Sequence, residues 1–285
     1  MRWVVIGDTG LFGSEMVAYL EAKGQSVSRF NRSNLNFEDL PEQLALQIGP
    51  ADVIVNAIGF TAVDKAESQL YEANTVNGLY TGKLAEVASI IGAKFFHIST
   101  DYVFDGESVT AYRTSAQTNP QTVYGKSKEL GEQLVAQSDA NYTIFRTSWL
   151  YGAHGKNFAQ TIAAKLAETG AAKVVNDQIG TPTWTRDLAE VIYAHGANDF
   201  NEKIVHAVAG GSGSWFDFAR EVAATLPEGD KYFLSPVSTD EFPTAAKRPA
   251  FSVLDNSETK GPTIRDWRER WKVAAPKVLA EFLDD

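Results

Sequence analysis

A tyrosine and a lysine stand four residues apart, at Tyr124 and Lys128, in the segment Tyr124-Gly125-Lys126-Ser127-Lys128. On a helix this spacing places both side chains on one face. Tyrosine is a poor acid or base at neutral pH unless its phenolate is stabilised, and a nearby ammonium provides that stabilisation. The pair therefore predicts a proton donor beside a carbonyl that is being reduced. The same spacing also arises by chance on many helices, so its meaning depends on what surrounds it.

A second polar pair follows an apolar run that predicts a strand from Lys94 to Ser99. Sites in open parallel sheets lie at the carboxyl ends of strands, so Ser99 and Thr100 are placed to hydrogen-bond a substrate carbonyl. The alternative is that the two hydroxyls cap a helix or form a turn. His97 alternates with apolar neighbours, which favours a core histidine over a catalytic base.

The glycine-rich segment from Gly7 to Gly13 comes directly after a predicted strand, Trp3 to Ile6. Glycines allow a sharp turn and let a pyrophosphate approach the amides at the start of the following helix. The alternative is an ordinary strand-to-helix turn. The position after the first strand favours a dinucleotide site.

The second predicted strand, Ser26 to Phe30, is followed by Asn31, Arg32 and Ser33. An acidic residue here would hydrogen-bond the adenosine ribose and favour NADH, and none is present. Arg32 or Arg29 could instead meet a 2′-phosphate, so we predict NADPH as cofactor, with NADH possible. The alternative is that these arginines are only solvated surface residues.

The elements that must position these groups alternate between strand and helix over the first half of the chain. Such alternation predicts an α/β fold, a doubly wound parallel sheet with helices on both faces. We expect residues 1–150 to form a dinucleotide-binding domain. Residues 151–285 are expected to form a smaller substrate-binding lobe that is partly interleaved with the sheet, because the alternation loosens and Pro and Gly become more frequent.

Composition narrows the classes of function. The 285 residues carry a formal net charge of -10, which argues against a nucleic-acid-binding protein. The absence of cysteine rules out disulfides, thiolate zinc sites and cysteine nucleophiles. No run of eighteen apolar residues occurs and no secretion signal is apparent, so we expect a cytoplasmic protein that does not bind membranes.

Taken together, the motifs resemble the extended short-chain dehydrogenase/reductase superfamily, and more narrowly the dTDP-4-dehydrorhamnose reductases. The resemblance covers nearly the whole chain. The segments that carry it are Gly7 to Gly13, Val55 to Glu67, Ser99 to Gly106, Tyr124 to Glu132, Arg146 to Gly152, Val175 to Thr183, His206 to Gly211, Trp215 and Lys247 to Pro249.

The resemblance implies reduction by NAD(P)H of the 4-keto group of a dTDP-4-dehydro-6-deoxyhexose, with dTDP-L-rhamnose as the expected product. It implies catalysis by Thr100, Tyr124 and Lys128. Cofactor contacts are expected from Gly7, Thr9, Gly10, Leu11, Phe12, Gly13, Arg32, Asn36, Phe37, Ala57, Ile58, Gly59, Ser99, Tyr124, Lys128 and Thr147. Substrate contacts are expected from Thr61, Asp101, Tyr102, Trp149, Asn157, Gln178 and Arg248.

Charge and backbone geometry also favour Arg248 as a contact for the diphosphate. A diphosphate that binds an acidic protein needs local positive charge, and an arginine can hold two phosphate oxygens at once. Pro249 biases Arg248 toward an extended conformation, which could aim the side chain. The alternative is a solvated arginine in a polar loop.

The chain departs from the family pattern in three places. Ile58, Gly59 and Phe60 replace the usual Ala or His, and the segment Tyr112 to Ala116 lacks the usual acidic residues. Both changes border the expected sugar pocket. Some family members dimerise through glutamates around a divalent ion, but Arg186 stands where a partner for Glu15 is expected. We therefore predict no metal, in a monomer or a homodimer.

Two other functions stay open. A sugar-nucleotide epimerase would keep its cofactor through turnover and consume no net NAD(P)H, whereas a dehydratase is disfavoured because Tyr102, not a second carboxylate, follows Asp101. A non-catalytic regulatory subunit is also compatible with the fold. Retention of Thr100, Tyr124 and Lys128 together argues against it.

Overall fold

The computed structural model describes residues 1–283 and consists of strands and helices in alternation. The strands are β1 (Arg2–Ile6), β2 (Ser26–Phe30), β3 (Val53–Asn56), β4 (Lys94–Thr100), β5 (Asn141–Thr147), β6 (Leu150–Tyr151), β7 (Ala171–Val175), β8 (Ile179–Gly180), β9 (Thr183–Trp184), β10 (Ile204–His206), β11 (Gly213–Ser214) and β12 (Phe233–Val237). The helices are α1 (Leu11–Ala22), α2 (Pro41–Ile48), α3 (Val63–Ala66), α4 (Leu70–Asn74), α5 (Tyr80–Ile91), α6 (Val123–Gln137), α7 (Phe158–Thr169), α8 (Thr185–Ala197), α9 (Trp215–Thr225), α10 (Trp267–Val278) and α11 (Ala280–Leu283).

Six parallel strands form the central sheet in the order β10-β5-β4-β3-β1-β2. The chain leaves β1 toward β2 and then returns to the other side of β1 to form β3. The strand order therefore reverses between β1 and β3, and ligands of such sheets bind outside the carboxyl ends of strands at that point. This arrangement confirms the predicted doubly wound α/β fold.

Burial explains why the inner strands read as continuous apolar runs. Val53, Ile54 and Val55 of β3 are wholly buried, because helices cover both faces of the sheet. One apolar cluster joins Val5 and Val55 to α1 and α8, and another joins Val4 and Ile54 to α2 and α5. The edge strand β2 is largely exposed, as its mixed sequence predicts.

The helical region from Leu70 to Ile91 is not one continuous α-helix. Thr75–Leu79 form a π-helical segment between α4 and α5. This segment packs closely on α6, because a Cβ at Gly78 would come within 2.5 Å of the Leu130 side chain. Single π-turns within α-helices frequently occur at functional sites.

The second half of the chain contributes to two regions. A separate apolar cluster contains Phe218, Trp267 and Trp271 from α9 and α10. Helix α8 packs instead on α1, and β10 pairs with β5 at the edge of the central sheet. The boundary at residue 150 stays a prediction. Across residues 1–283, no helix combines the length and the apolar character that crossing a bilayer requires.

Candidate active site

The glycine-rich turn between β1 and α1 brings the backbone close to the end of β3. Gly7 has φ 97°, and a Cβ on it would lie 2.8 Å from the carbonyl carbon of Ala57. A Cβ on Gly13 would lie 2.0 Å from the Gly7 oxygen. Both positions therefore require glycine. The turn leaves the amino end of α1 open at the sheet's switch point, which fits the pyrophosphate of a dinucleotide.

A cavity of about 890 Å³ extends from this turn along the end of β2. Phe37 is stacked on Tyr80 with ring centroids 5.1 Å apart. Arg32 is exposed at this cavity, whereas Arg29 is paired with Glu21. The predicted cofactor residues that line it are Gly7, Thr9, Gly10, Arg32, Asn36, Phe37, Ala57, Ile58 and Gly59.

A second cavity of about 450 Å³ lies over the ends of β3, β4 and β5. It shares Gly10, Ala57, Ile58 and Gly59 with the first, so the two form adjoining parts of one cleft. The predicted site residues that line the second cavity but not the first are Leu11, Phe12, Thr61, Ser99, Thr100, Asp101, Tyr102, Tyr124, Lys128, Thr147 and Trp149.

Helix α6 carries Tyr124 and Lys128 on the face that meets β4, and Thr122 caps its start by accepting a hydrogen bond from the Gly125 amide at 3.0 Å. The Tyr124 ring meets the Tyr102 ring edge to face at 5.5 Å. Desolvation by burial raises the pKa of Tyr124, while the nearby Thr100 hydroxyl opposes that rise. Without further stabilisation the phenol therefore stays protonated at neutral pH.

The Lys128 ammonium is directed toward the sheet. It donates to the Ile98 carbonyl at 2.5 Å and lies 3.3 Å from His97 Nε2. Burial lowers the pKa of Lys128 to about 8, and the Glu132 carboxylate acts against this. His97 is fully buried, as predicted for a core histidine, and its contact with Lys128 is one that the strand pattern does not predict. Burial and the Lys128 charge hold the pKa of His97 well below its usual value.

Thr100 and Asp101 are coupled. The Thr100 hydroxyl donates to Asp101 Oδ1 at 3.0 Å. Burial raises the pKa of Asp101 to about 6, and the hydrogen bond from Thr100 limits the rise. A hydroxyl has one proton, so Thr100 must turn away from Asp101 before it can donate to a substrate carbonyl.

A buried ion pair between α6 and β5 anchors the end of β4. Arg146 Nη2 lies 2.6 Å from Glu132 Oε2, and both side chains are almost wholly buried. Ser99 donates to the same carboxylate at 2.5 Å. Ser99 is thus held by α6 and β5, in addition to lining the cavity.

Two indoles form one wall of the second cavity. Trp149 and Trp215 stack with centroids 3.5 Å apart and planes 5° apart. Trp149 has φ 45°, an uncommon conformation for a side-chain-bearing residue. Trp215 and Lys156 also line this cavity, although the sequence analysis assigned neither to the site. Trp215 contributed to the family resemblance without a predicted role, and Lys156 lies outside the segments that carry the resemblance.

Three predicted substrate residues lie outside the two cavities as far as residues 1–283 define them. Asn157 caps α7 and donates to the Gly152 carbonyl at 2.8 Å. Gln178 is buried and donates to the Thr239 hydroxyl at 3.0 Å. Arg248 lines a neighbouring cavity of about 200 Å³ that shares Tyr102 with the second one.

Glu15, which the family resemblance links to a divalent ion, is paired with cationic side chains of this chain. Arg186 lies 3.2 Å from Glu15 Oε1, and His154 lies 3.7 Å from the other carboxylate oxygen. Tyr19 packs against the same guanidinium at 4.3 Å. Arg186 therefore neutralises Glu15 within the chain.

Comparison with known proteins places the whole chain. The family model described as "RmlD substrate binding domain" matches residues 1–283. A Burkholderia thailandensis protein named dTDP-4-dehydrorhamnose reductase is 37% identical, over 94% of this chain and 96% of its own. A Streptomyces antibioticus protein named probable dTDP-4,6-dihydroxy-2-methyloxan-3-one 4-ketoreductase is 36% identical, over 98% and 96% respectively.

Solved structures agree with this placement. A crystal structure of a dTDP-4-dehydrorhamnose reductase from Clostridium acetobutylicum superposes with a TM-score of 0.90 at 36% identity, over 96% of this chain and 98% of that one. The enzyme of that name from Bacillus anthracis, in complex with NADP, also gives 0.90, at 30% identity over the same shares. The resemblance inferred from the motifs is thus confirmed, and the chain belongs to the RmlD substrate binding domain family of the extended short-chain dehydrogenase/reductases.

Proposed function

We propose that this protein uses NADPH to reduce the 4-keto group of a dTDP-4-dehydro-6-deoxyhexose, with dTDP-4-dehydro-L-rhamnose as substrate and dTDP-L-rhamnose as product. The observation that carries the proposal is the joining of two cavities at Gly10 and Ala57 to Gly59. One begins at the glycine-rich turn, and the other contains Thr100, Tyr124 and Lys128. A dinucleotide that crosses the shared wall would place its reactive end beside the three polar side chains.

The residues at the turn fit the cofactor. Gly7 and Gly13 keep the backbone free of side chains at the point where a pyrophosphate would approach α1. Arg32 offers a positive charge at the end of β2, and no acidic side chain follows that strand in Asn31-Arg32-Ser33. Bound NADPH would supply the hydride.

The protein's own groups would manage the proton. Tyr124 would donate its phenolic proton to the carbonyl oxygen as that oxygen gains negative charge. Lys128 would hold the nicotinamide ribose and stabilise the Tyr124 phenolate once its ammonium turns from the Ile98 carbonyl. Thr100 would donate to the same carbonyl oxygen after releasing Asp101.

The names of the relatives do not agree on the hexulose that is reduced. Relatives at similar identity carry different substrate names, including a Streptomyces niveus protein named dTDP-4-keto-6-deoxy-D-glucose reductase at 36% identity. Ile58 and Gly59 line the second cavity where the family usually has Ala or His. The choice of hexulose therefore depends on the shape of this chain's own pocket.

A panel of dTDP-4-keto-6-deoxy sugars tests the proposal. The purified protein is mixed with NADPH and each sugar, and oxidation of the cofactor is followed together with the product's configuration at C4. Oxidation matched one to one by 4-hydroxy product is expected, fastest with dTDP-4-dehydro-L-rhamnose. Conversion of the sugar without net cofactor oxidation would identify an epimerase, and binding without conversion would identify a regulatory subunit.

A further inference from the structure

We infer that His97 is a positioning residue that decides which way the Lys128 side chain points. Its ring presents an N–H group to the Lys128 nitrogen, which holds a neutral amine against β4 and turns an ammonium toward the cleft. The inference rests on the proposed function only for what the ammonium does in the cleft. The contacts that carry it lie behind the site and involve no ligand.

The neighbours of His97 follow from the register of the sheet. His97 is directly opposite Asn56 on the adjacent parallel strand β3. Side chains alternate along a strand, so both lie on the face where Ile54 and Phe95 pack with α5. Both side chains are wholly buried. Their polar atoms must therefore find partners within the protein.

A backbone group fixes the orientation of the Asn56 amide. The Ile58 amide donates to Asn56 Oδ1 at 3.2 Å, so the other end of the side chain is the NH2 group. This group donates to Thr81 Oγ1 at 3.2 Å and lies 3.2 Å from His97 Nδ1. His97 Nδ1 is consequently the acceptor and carries no proton.

The remaining ring nitrogen of His97 then carries the proton. Burial and the Lys128 charge hold the pKa of His97 well below its usual value, so the ring is neutral and has one N–H group, on Nε2. Nε2 lies 3.3 Å from Lys128 Nζ. An amine can accept a hydrogen bond from this group through its lone pair, whereas an ammonium has only donors and is opposed by it.

His97 is the contact that distinguishes the two forms of Lys128. The Ile98 carbonyl, 2.5 Å from Nζ, accepts from an amine and from an ammonium alike. Gain of a proton by Lys128 therefore removes one of the two hydrogen bonds that hold the side chain against β4. The alternative direction is the cleft, which Lys128 also lines.

The other titratable groups in this part of the site do not oppose that movement. They are Asp101 after β4, Tyr124 and Glu132 on α6, and Arg146 on β5. Glu132 favours the ammonium, but its carboxylate is paired with Arg146 at 2.6 Å. Tyr124 and Asp101 line the cleft, so an ammonium that turns outward approaches oxygen acceptors.

The position of Lys128 therefore depends on its proton. Burial lowers the pKa of Lys128 to about 8. Below that pH the ammonium predominates and is directed to the cleft, where it would hold the nicotinamide ribose and stabilise the Tyr124 phenolate. Above it the amine stays with His97 and the cleft loses its cation. We expect kcat/KM to fall as pH rises through the pKa of Lys128.

The first measurement needs no variant. Selective 15N labelling of the four histidines, followed by NMR at neutral pH, shows which ring nitrogen carries a proton. We expect His97 to be neutral with its proton on Nε2, and His97→Phe assigns its signals. His206 is the internal control, because its Nδ1 lies 3.1 Å from the Asp255 carbonyl and must be the donor. Its pKa is lowered to about 4, chiefly by burial, so it should be neutral with the opposite tautomer.

Asn56→Asp should reverse the His97 tautomer with little change of shape. A carboxylate can accept from the Ile58 amide, the Thr81 hydroxyl and a protonated His97 Nδ1. Nε2 then becomes an acceptor for the Lys128 ammonium, and the basic limb of the pH profile of kcat/KM should move up by about one pH unit. Thr81→Val is the matched control, since it removes a different partner of Asn56. It should lower Tm and leave the tautomer and the limb unchanged.

A double variant separates the tautomer from the charge of the new carboxylate. In His97→Phe the ring N–H group is absent, so the basic limb should already move up. Addition of Asn56→Asp to His97→Phe should move it no further. A full additional shift in the double variant would assign the effect to charge alone and overturn the inference.

A wild-type spectrum with the His97 proton on Nδ1, or with protons on both nitrogens, would overturn the inference whether or not any variant folds. A basic limb that stays in place in both Asn56→Asp and His97→Phe would do the same. Failure of the proposed function looks different. NADPH oxidation would then be absent with every sugar, while the His97 tautomer and its reversal by Asn56→Asp would remain.

Discussion

The guanidinium of Arg248 donates to the hydroxyl of Tyr102 at 3.1 Å, and Tyr102 in turn packs edge to face against Tyr124. The other amino group of the same guanidinium is paired with Asp64 of α3. A single arginine thus connects the C-terminal loop to α3 and to the aromatic pair at the proposed active site. An anionic ligand that reached Arg248 would compete with Asp64 for it.

Replacement of Arg248 by alanine tests whether it binds the diphosphate. We expect the KM for the sugar nucleotide to rise about 10-fold or more, since charge-assisted hydrogen bonds contribute roughly 1.5–3 kcal/mol. The KM for NADPH should not change. Lys247→Ala is the matched control, because Lys247 is the adjacent cation, is 70% exposed, and pairs with Glu107 instead. Equal KM values for Arg248→Ala and wild type would remove Arg248 from the substrate site.

Replacement of Tyr124 by phenylalanine tests the proton donor. The loss of a positioned acid typically costs ~10²–10⁴-fold, so kcat should fall by that factor while Kd for NADPH stays within about twofold. Tyr142→Phe is the control, since Tyr142 lies near the opposite end of β5, beside Lys203. A rate near that of wild type in Tyr124→Phe would show that another group supplies the proton.

Replacement of Lys128 by methionine should separate stability from activity. Burial lowers the pKa of Lys128 from 10.5 to about 8. At neutral pH the charged ammonium is therefore less stable in the folded protein than in the unfolded chain. This shift costs on the order of 3 kcal/mol. Between about pH 8 and 10.5 the unfolded state binds more protons, and wild-type stability should therefore rise with pH in this window.

We accordingly expect Lys128→Met to be more stable than wild type at pH 7, with lower kcat and weaker NADPH binding. The stability difference should shrink as pH rises through that window. Denaturant unfolding at several pH values checks the sign. A stability difference that does not depend on pH would mean that the Lys128 ammonium is not desolvated as the structure indicates.

Replacement of Arg32 by aspartate tests cofactor choice. Arg32 is exposed at the first cavity, and a carboxylate there would repel a 2′-phosphate and accept from a ribose hydroxyl. The ratio of kcat/KM for NADPH to that for NADH should fall ~10-fold or more, an energy of about 1.4 kcal/mol. Arg29→Asp is the control because Arg29 is paired with Glu21. An unchanged ratio in Arg32→Asp would make Arg32 an ordinary surface residue.

The sequence by itself determined the fold and the chemical class. Apolar runs such as Val53–Val55, alternating with amphipathic helices, specify a parallel sheet because buried strands and helix faces differ in period. Only glycine fits at two positions after the first strand. A Cβ on Gly7 would collide with the Ala57 backbone, and a Cβ on Gly13 would collide with the Gly7 backbone. Tyr124 and Lys128 reveal their shared face through spacing alone, which is a local property of a helix.

Only the tertiary structure determined which side chains from separate elements contact one another. Asn157 and Gln178 look like free donors in sequence, yet the fold engages them with Gly152 and Thr239. The Asn77 side chain accepts a hydrogen bond from the Phe60 amide and donates one to Ser127. These partners lie 17 and 50 residues away in sequence, and no sequence periodicity predicts the contacts. The stack of Trp149 on Trp215, and the direction of Lys128 toward His97, likewise depend on how separate elements pack. Spacing encodes neighbours within an element, whereas contacts between elements form only when burial of the apolar core brings them together.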